Sequence, residues 1–221
     1  MNDSLREILV TDVPPAFVTR LLSAAEWVYK EAHDTIKNNT MLGEAERAYL
    51  EPHYRRALFE RKMLEVALDS GLKAVSEQVA SGAAKYNLVR VGRLLLTCSK
   101  TSGRYVVPRA CSFRGQYSDI NEHIDQGQLF PVQSAPQEAS LYCIVTHGPS
   151  TKNPGTLGYC CFGFPAMDME KWAQQPIDLA DIRDYQQQRY QKADDDRAQI
   201  QQVEPKLKPQ FEADGDAEEK A

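Results

Sequence analysis

Cys143, His147 and the adjacent pair Cys160-Cys161 are the residues whose types best suit metal binding or nucleophilic chemistry. Their spacing, Cys-x3-His-x12-Cys, offers three ligands if the two segments face each other as strands. Neighbours on a strand point to opposite faces, so only one of Cys160 and Cys161 joins such a set, and a fourth ligand is missing. The two-knuckle spacing of structural zinc sites is also absent. Cys143 and His147 stand four residues apart, about 13 Å along a strand, too far for a nucleophile and its base. The chain is therefore expected to hold no metal and no cofactor. His147 opens a different possibility, because it starts the loop His147-Gly-Pro-Ser-Thr-Lys152-Asn-Pro-Gly155. Backbone N–H groups of such a loop, together with Lys152, are suited to a phosphate. The loop is not a Walker A sequence, which needs glycine-x4-glycine-Lys-Ser/Thr before a helix. It supports a nucleic-acid-processing, nuclease-like enzyme with a site near His147 and Lys152.

Two further groups bear on hydrolysis. Arg47 is followed six positions later by His53 in RAYLEPH. This pair resembles the Arg-x(4–6)-His pattern of helical HEPN ribonucleases, where the resemblance implies action on the RNA 2′-hydroxyl and phosphate. HEPN folds are all-helical, whereas half of this chain reads as sheet, and Pro52 falls inside the helix the pattern needs. Asp119, Glu122 and Asp125 gather in a polar stretch without the strand-borne lysine that nuclease carboxylates use.

The strongest chemical signal is charge. The stretch 86–114 carries Arg90, Arg93, Arg104, Arg109 and Arg114, with Lys100 among them. From Tyr54 to Arg114 twelve Lys or Arg stand against four Asp or Glu; from Gln191 to Ala221 five stand against nine. The whole chain has a net charge of −5, so the asymmetry is internal: a basic middle and an acidic end. Such a middle matches a polyanion, most of all nucleic acid, DNA or RNA. The acidic end would compete for it.

The elements that must position these residues follow from periodicity. The 221 residues suit one domain with an appendage. Residues 3–10 are too short to assign. Phe17, Leu21, Ala24, Ala25, Val28 and Ala32 recur at helical steps, giving an amphipathic helix over roughly 14–37. A second helix starts near Gly43, is broken or kinked at Pro52, and resumes through Leu58, Phe59, Met63 and Val66. Gly71 caps it, and Leu72, Val75 and Val79 read as one more short helix. Val89, Val91, Leu94, Leu96 and Cys98 alternate as a strand with a bulge at Gly92-Arg93. Ser99 to Gly103 reads as a turn, with a return strand through Tyr105, Val107, Cys111 and Phe113. The polar run 115–139 is a long loop with one helical turn near Asn121-Ile124. Leu141–Val145 and Leu157–Phe164 form a second hairpin around a loop at 147–156. Trp172 anchors the connection to a last helix, 178–200, capped by Asp178.

The expected fold is thus α+β. An N-terminal helical layer (12–80) packs on an antiparallel sheet of two hairpins (86–164), within one domain spanning 1–203. Residues 204–221 are polar and acidic and are expected to be a disordered tail. No run of about 18 apolar residues marks a membrane span. The start MNDSLREILVTD lacks the apolar core of a secretion signal. The five cysteines, four of them in apolar runs, read as reduced thiols of a cytoplasmic protein. The expected function is a cytoplasmic binding or regulatory protein that meets a polyanion through Arg90, Arg93, Lys100, Arg104, Arg109 and Arg114. The rivals are the enzyme with its site near His147 and Lys152, and a structural subunit whose basic helices meet an acidic protein partner.

Overall fold

The computed structural model describes residues 3–79, 85–125 and 141–203. The expected tail, 204–221, lies outside the described residues. The chain forms two compact units, Met1–Gln186 and Gln187–Ala221.

The first unit is α+β. Three helices, α1 (Asp3–Asp12), α2 (Pro15–Lys37) and α3 (Glu44–Asp69), precede a six-stranded sheet. The unassigned start is a helix because Leu5, Ile8 and Leu9 recur at one-turn intervals, and all three are buried. Pro14-Pro15 then turns the chain by 96° into α2. Along α2 the buried positions Phe17, Leu21, Ala25, Val28, Tyr29, Ala32 and Ile36 make one apolar stripe. No single helix among the described residues is long and apolar enough to cross a membrane.

Two helical expectations are revised. The break at Pro52 does not occur: α3 runs unbroken through it, with Arg55, Phe59, Met63, Val66 and Ala67 buried beyond it. Packing of this second half holds the helix across a residue that lacks an N–H. The short helix at Leu72–Val79 is instead strand β1 (Lys73–Gln78). Gly71, at φ +74°, ends α3 as expected, and β1 then pairs antiparallel with residues 85–90. Helical spacing of Leu72, Val75 and Val79 was coincidental, since Val75 is exposed.

The remaining strands are β2 (Lys85–Val91), β3 (Leu94–Lys100), β4 (Leu141–Pro149), β5 (Leu157–Pro165) and β6 (Trp172–Asp178), in spatial order β1 to β6. All neighbours are antiparallel except β3 and β4, which run parallel. Two three-stranded meanders therefore meet at the centre, not two hairpins. The second hairpin, β4–β5, is present, but β4 runs on through His147 to Pro149, so His147 lies in the strand and the loop is shorter than the expected 147–156; β6 was missed because Gln174, Gln175 and Pro176 dilute its apolar character.

Gly92 is not a bulge. Val91 pairs with Leu94, so Gly92-Arg93 is a two-residue hairpin turn, and Gly92 takes φ +53°. The turn is clamped from α1. Asp12 accepts from the Arg93 backbone N–H (3.0 Å) and from its Nε (2.8 Å) and Nη2 (2.9 Å). The return strand over 105–113 is also absent. Tyr105 and Val106 are exposed, Pro108 has no donor, and the edge of β3 is filled by β4.

Each sheet face has its own cover. Val89, Leu94, Leu96, Cys143, Val145, Cys160 and Phe162 face α1–α3. Leu95, Tyr142 and Ile144 face the crossover segment, packed with Val107, Tyr117, Ile120 and Trp172. That segment contains α4 (Ser112–Ser118), a 3₁₀ turn (Asp119–Asn121) and α5 (Glu122–Asp125), so the expected helical turn near Asn121 is present. Asn121 ties it down. Its Nδ2 donates to the carbonyls of Tyr142 (2.9 Å) and Pro165 (2.8 Å), and its Oδ1 accepts from the Tyr142 N–H (2.8 Å). The last helix, α6 (Leu179–Val203), starts at Asp178, whose Oδ1 accepts from the Ala180 N–H. Gln186 donates to the carbonyls of Val10 and Val13, closing the end of α1.

Candidate functional site

The central arginines do not share one face. Arg90 is exposed on the sheet face opposite α1–α3, because its neighbours Val89 and Val91 point into that core. Arg93 is held by Asp12. Arg104 pairs with Asp178 at 2.8 Å. Lys152 is exposed on the β4–β5 loop. Charge counting placed these residues in one class; their partners divide them.

Three of the expected residues do converge. Lys100 at the end of β3, and Arg109 and Arg114 just before and within α4, line one cleft of about 580 Å³. Arg56 of α3 joins them, as do Cys111 and Phe113. Among the described residues, no Asp or Glu lines it. Arg56 is partly neutralised from outside by Glu60, at 2.9 Å. Arg114 is held by carbonyls: Nη1 donates to Arg109 (3.1 Å) and Nη2 to Cys98 (3.4 Å), while Nε is buried without a partner. Its guanidinium lies 5.2 Å from the Phe113 ring centroid. Phe113 in turn stacks on Tyr86 of β2 at 4.0 Å and 5°. Burial pulls the Lys100 ammonium below its ordinary range; Arg55 adds repulsion, which Glu51 partly offsets.

Behind this cleft lies a buried polar cluster. In the parallel register Lys100 sits beside His147. The His147 ring stacks on Phe59 (3.7 Å, 11°), and its Nδ1 shares a 2.8 Å hydrogen bond with the Tyr29 hydroxyl. Burial, with Lys100 and Arg55 adding repulsion, pushes the imidazole down to about 3, so it is neutral near pH 7. Arg55 is 3% exposed, lies over the Tyr29 ring, pairs with Glu51 and donates to the Pro154 carbonyl. Its Nε is buried and unpartnered. Glu51 also meets His33, at 3.3 Å.

His147 is 1% exposed, so a ligand in solvent does not reach it. Cys98, Cys143, Cys160 and Cys161 are buried free thiols, and burial pushes each of them up, away from the thiolate. Among the described residues, no three His, Cys, Asp or Glu come together as metal ligands. Arg47 donates to the Asn39 carbonyl and the His53 ring leans on Tyr49, so neither is paired with the other. Asp119 and Glu122 are exposed. What the arrangement can do is hold an anion beside an aromatic ring.

No protein-family model, curated protein or solved structure matches the chain.

Sequence reading missed Arg56, Arg55 and Phe113 as site residues. Arg56 was visible only as one charge in the basic block. Phe113 was assigned to a strand, and its place beside Arg114 depends on α4.

Proposed function

We propose that the protein binds a polyanion, most of all nucleic acid, in the cleft of Arg56, Lys100, Arg109 and Arg114. One observation carries the reading: four cations from three separate segments line one cleft without a lining carboxylate. Burial and repulsion from Arg55 already disfavour the charge on Lys100. A bound anion would offset both. Arg93 and Arg104 drop out of the expected contact set, because each lies outside the cleft and is paired with a carboxylate there. The five free thiols suit a reducing cytoplasm.

The test is a fluorescence-anisotropy titration of the full chain with labelled oligonucleotides at two salt concentrations. Affinity should fall steeply with salt, and Lys100→Ala or Arg109→Ala should each reduce the log–log slope by about 0.7–1. Arg90→Ala and Lys152→Ala, outside the cleft, should leave affinity unchanged within a factor of about two, apart from long-range attraction. Deleting the acidic residues 204–221 should tighten binding modestly at low salt. Absence of binding at low salt, or an Arg90→Ala loss equal to that of Arg109→Ala, overturns the assignment.

A further inference from the structure

The two edges of the sheet are built differently. β6 carries Pro176, which has no N–H to offer, and its pairing with β5 shifts register twice. Such features keep an edge from accepting another strand. β1 has none of them. Its six residues, Lys73–Gln78, include no proline or glycine and pair with β2 without a shift. Among the described residues, no strand pairs with its outer side. The outer side of β1 is therefore a template for a further strand, and Val75 in the middle of it is 51% exposed.

The side chains of β1 select the partner. Lys73, Val75 and Glu77 share the sheet face that turns away from α1–α3, where their register partners Arg90, Leu88 and Tyr86 lie. Lys73 stands directly opposite Arg90, a like-charge pair that weakens the ladder. Neither has an ion-pair partner among the described residues. Glu77 accepts from the Tyr86 hydroxyl through Oε2 (2.5 Å), which leaves Oε1 for a cation.

A second copy laid antiparallel along β1 is related to the first by a twofold axis normal to the sheet, so odd-numbered residues meet odd-numbered ones on this face. Centring the pair on Ala74 sets Lys73 against Val75, and centring it on Ser76 sets Val75 against Glu77. Centring it on Val75 sets Val75 against itself and Lys73 against Glu77 twice. A row across that join reads Arg90, Lys73, then Glu77 and Tyr86 of the second copy. The incoming carboxylate relieves the like-charge pair, and the two exposed valines cover each other.

We propose that β1 pairs with β1 of a second copy of this chain, centred on Val75, so that the two sheets become one. This is independent of the anion-binding reading. A single strand-to-strand join is smaller than the ~1,200 Å² at which standard interfaces begin, so the dimer is weak and forms by mass action.

The experiment is sedimentation velocity of the full chain at low salt, from about 10 µM to about 1 mM, the range of a weak complex. The wild-type chain should pass from one copy to two and stop there, because pairing consumes β1 and β6 is blocked. Lys73→Glu turns both opposite-charge pairs into Glu–Glu pairs and should raise the dissociation constant at least about tenfold. Lys73 is exposed and makes no bond, so this variant tests the join without disturbing the fold. Glu77→Lys should act likewise through two Lys–Lys pairs. An equimolar mixture of the two variants restores both opposite-charge pairs and should dimerise within about threefold of wild type. A wild-type chain that stays single at the highest concentration overturns the proposal and leaves the edge to a strand of another protein. Growth beyond two copies, an unchanged dissociation constant in Lys73→Glu, or a mixture no tighter than its separate variants also overturns it.

Discussion

Acidification should destabilise this protein well above the range in which its carboxylates titrate, and His147 is the reason. The ring is enclosed by Phe59, Tyr29, Arg55, Lys100 and Cys160. Two of these groups are cations. Burial pushes the Tyr29 phenol up, so it stays neutral and offers no charge to an imidazolium. The folded-state value is about 3, against an ordinary 6.5 in the unfolded chain. A depressed histidine stabilises the fold fully above the unfolded value and loses that contribution as pH falls from 6.5 toward 3. Linkage then gives a loss of about 2 kcal/mol at pH 5 and about 3 kcal/mol at pH 4 relative to pH 7.5. Asp12 titrates lower. Burial alone would raise it, but the Arg93 hydrogen bonds and charge outweigh that and leave it below 3.8. Asp12 therefore lies below the window from pH 7.5 to 5, and comparison with a variant lacking His147 separates this histidine from the other three.

The assay is urea denaturation of the wild-type chain and His147→Gln across that window. The substitution is expected to cost stability at every pH, because it loses the stack on Phe59. The informative quantity is the change with pH, which should be about 2 kcal/mol smaller in His147→Gln. Equal pH dependence in the two proteins would refute the reasoning and mean that His147 is charged, or unburied, in the fold.

Two further substitutions probe how the elements are tied together. Asn121→Ala removes the three hydrogen bonds that join the crossover segment to β4 and β5, leaving buried backbone groups unpaired. It should cost about 3 kcal/mol or more in urea denaturation; a loss under about 1 kcal/mol would show that water or a shifted backbone replaces them. Asp12→Ala removes the clamp on the Gly92-Arg93 turn and should cost about 1–2 kcal/mol, a figure kept low because the Arg93 side chain is 41% exposed. A cost unchanged between low and high salt would match the backbone N–H bond dominating, and no cost at all would remove Asp12 from the turn's support.

The fold was legible where a residue's neighbours are local. The stripe of α2, the caps at Gly71 and Asp178 and the loop between β4 and β5 depend on residues a few positions apart. The misreadings share one cause. β1 is a strand because of β2, the Gly92 turn is tight because Asp12 reaches it from α1, and 105–113 is not a strand because β4 arrives from beyond residue 140. Each outcome is settled by a partner outside the segment itself, which periodicity does not register.

The site divides along the same line. Charge counting found the basic block, and several of the cations in that block that lack a carboxylate do form the cleft. What it missed was subtraction: Asp12 and Asp178, far outside the block, remove Arg93 and Arg104 from the available charge. Reasoning from residue type also favoured His147, the most versatile side chain in the sequence. The parallel join of β3 to β4 puts that histidine beneath Tyr29 and Phe59 and leaves its register neighbour, Lys100, at the cleft. The chemistry open to solvent is thus that of a cation and an aromatic ring, while the imidazole stays neutral inside. That division is what the proposed anion-binding reading rests on.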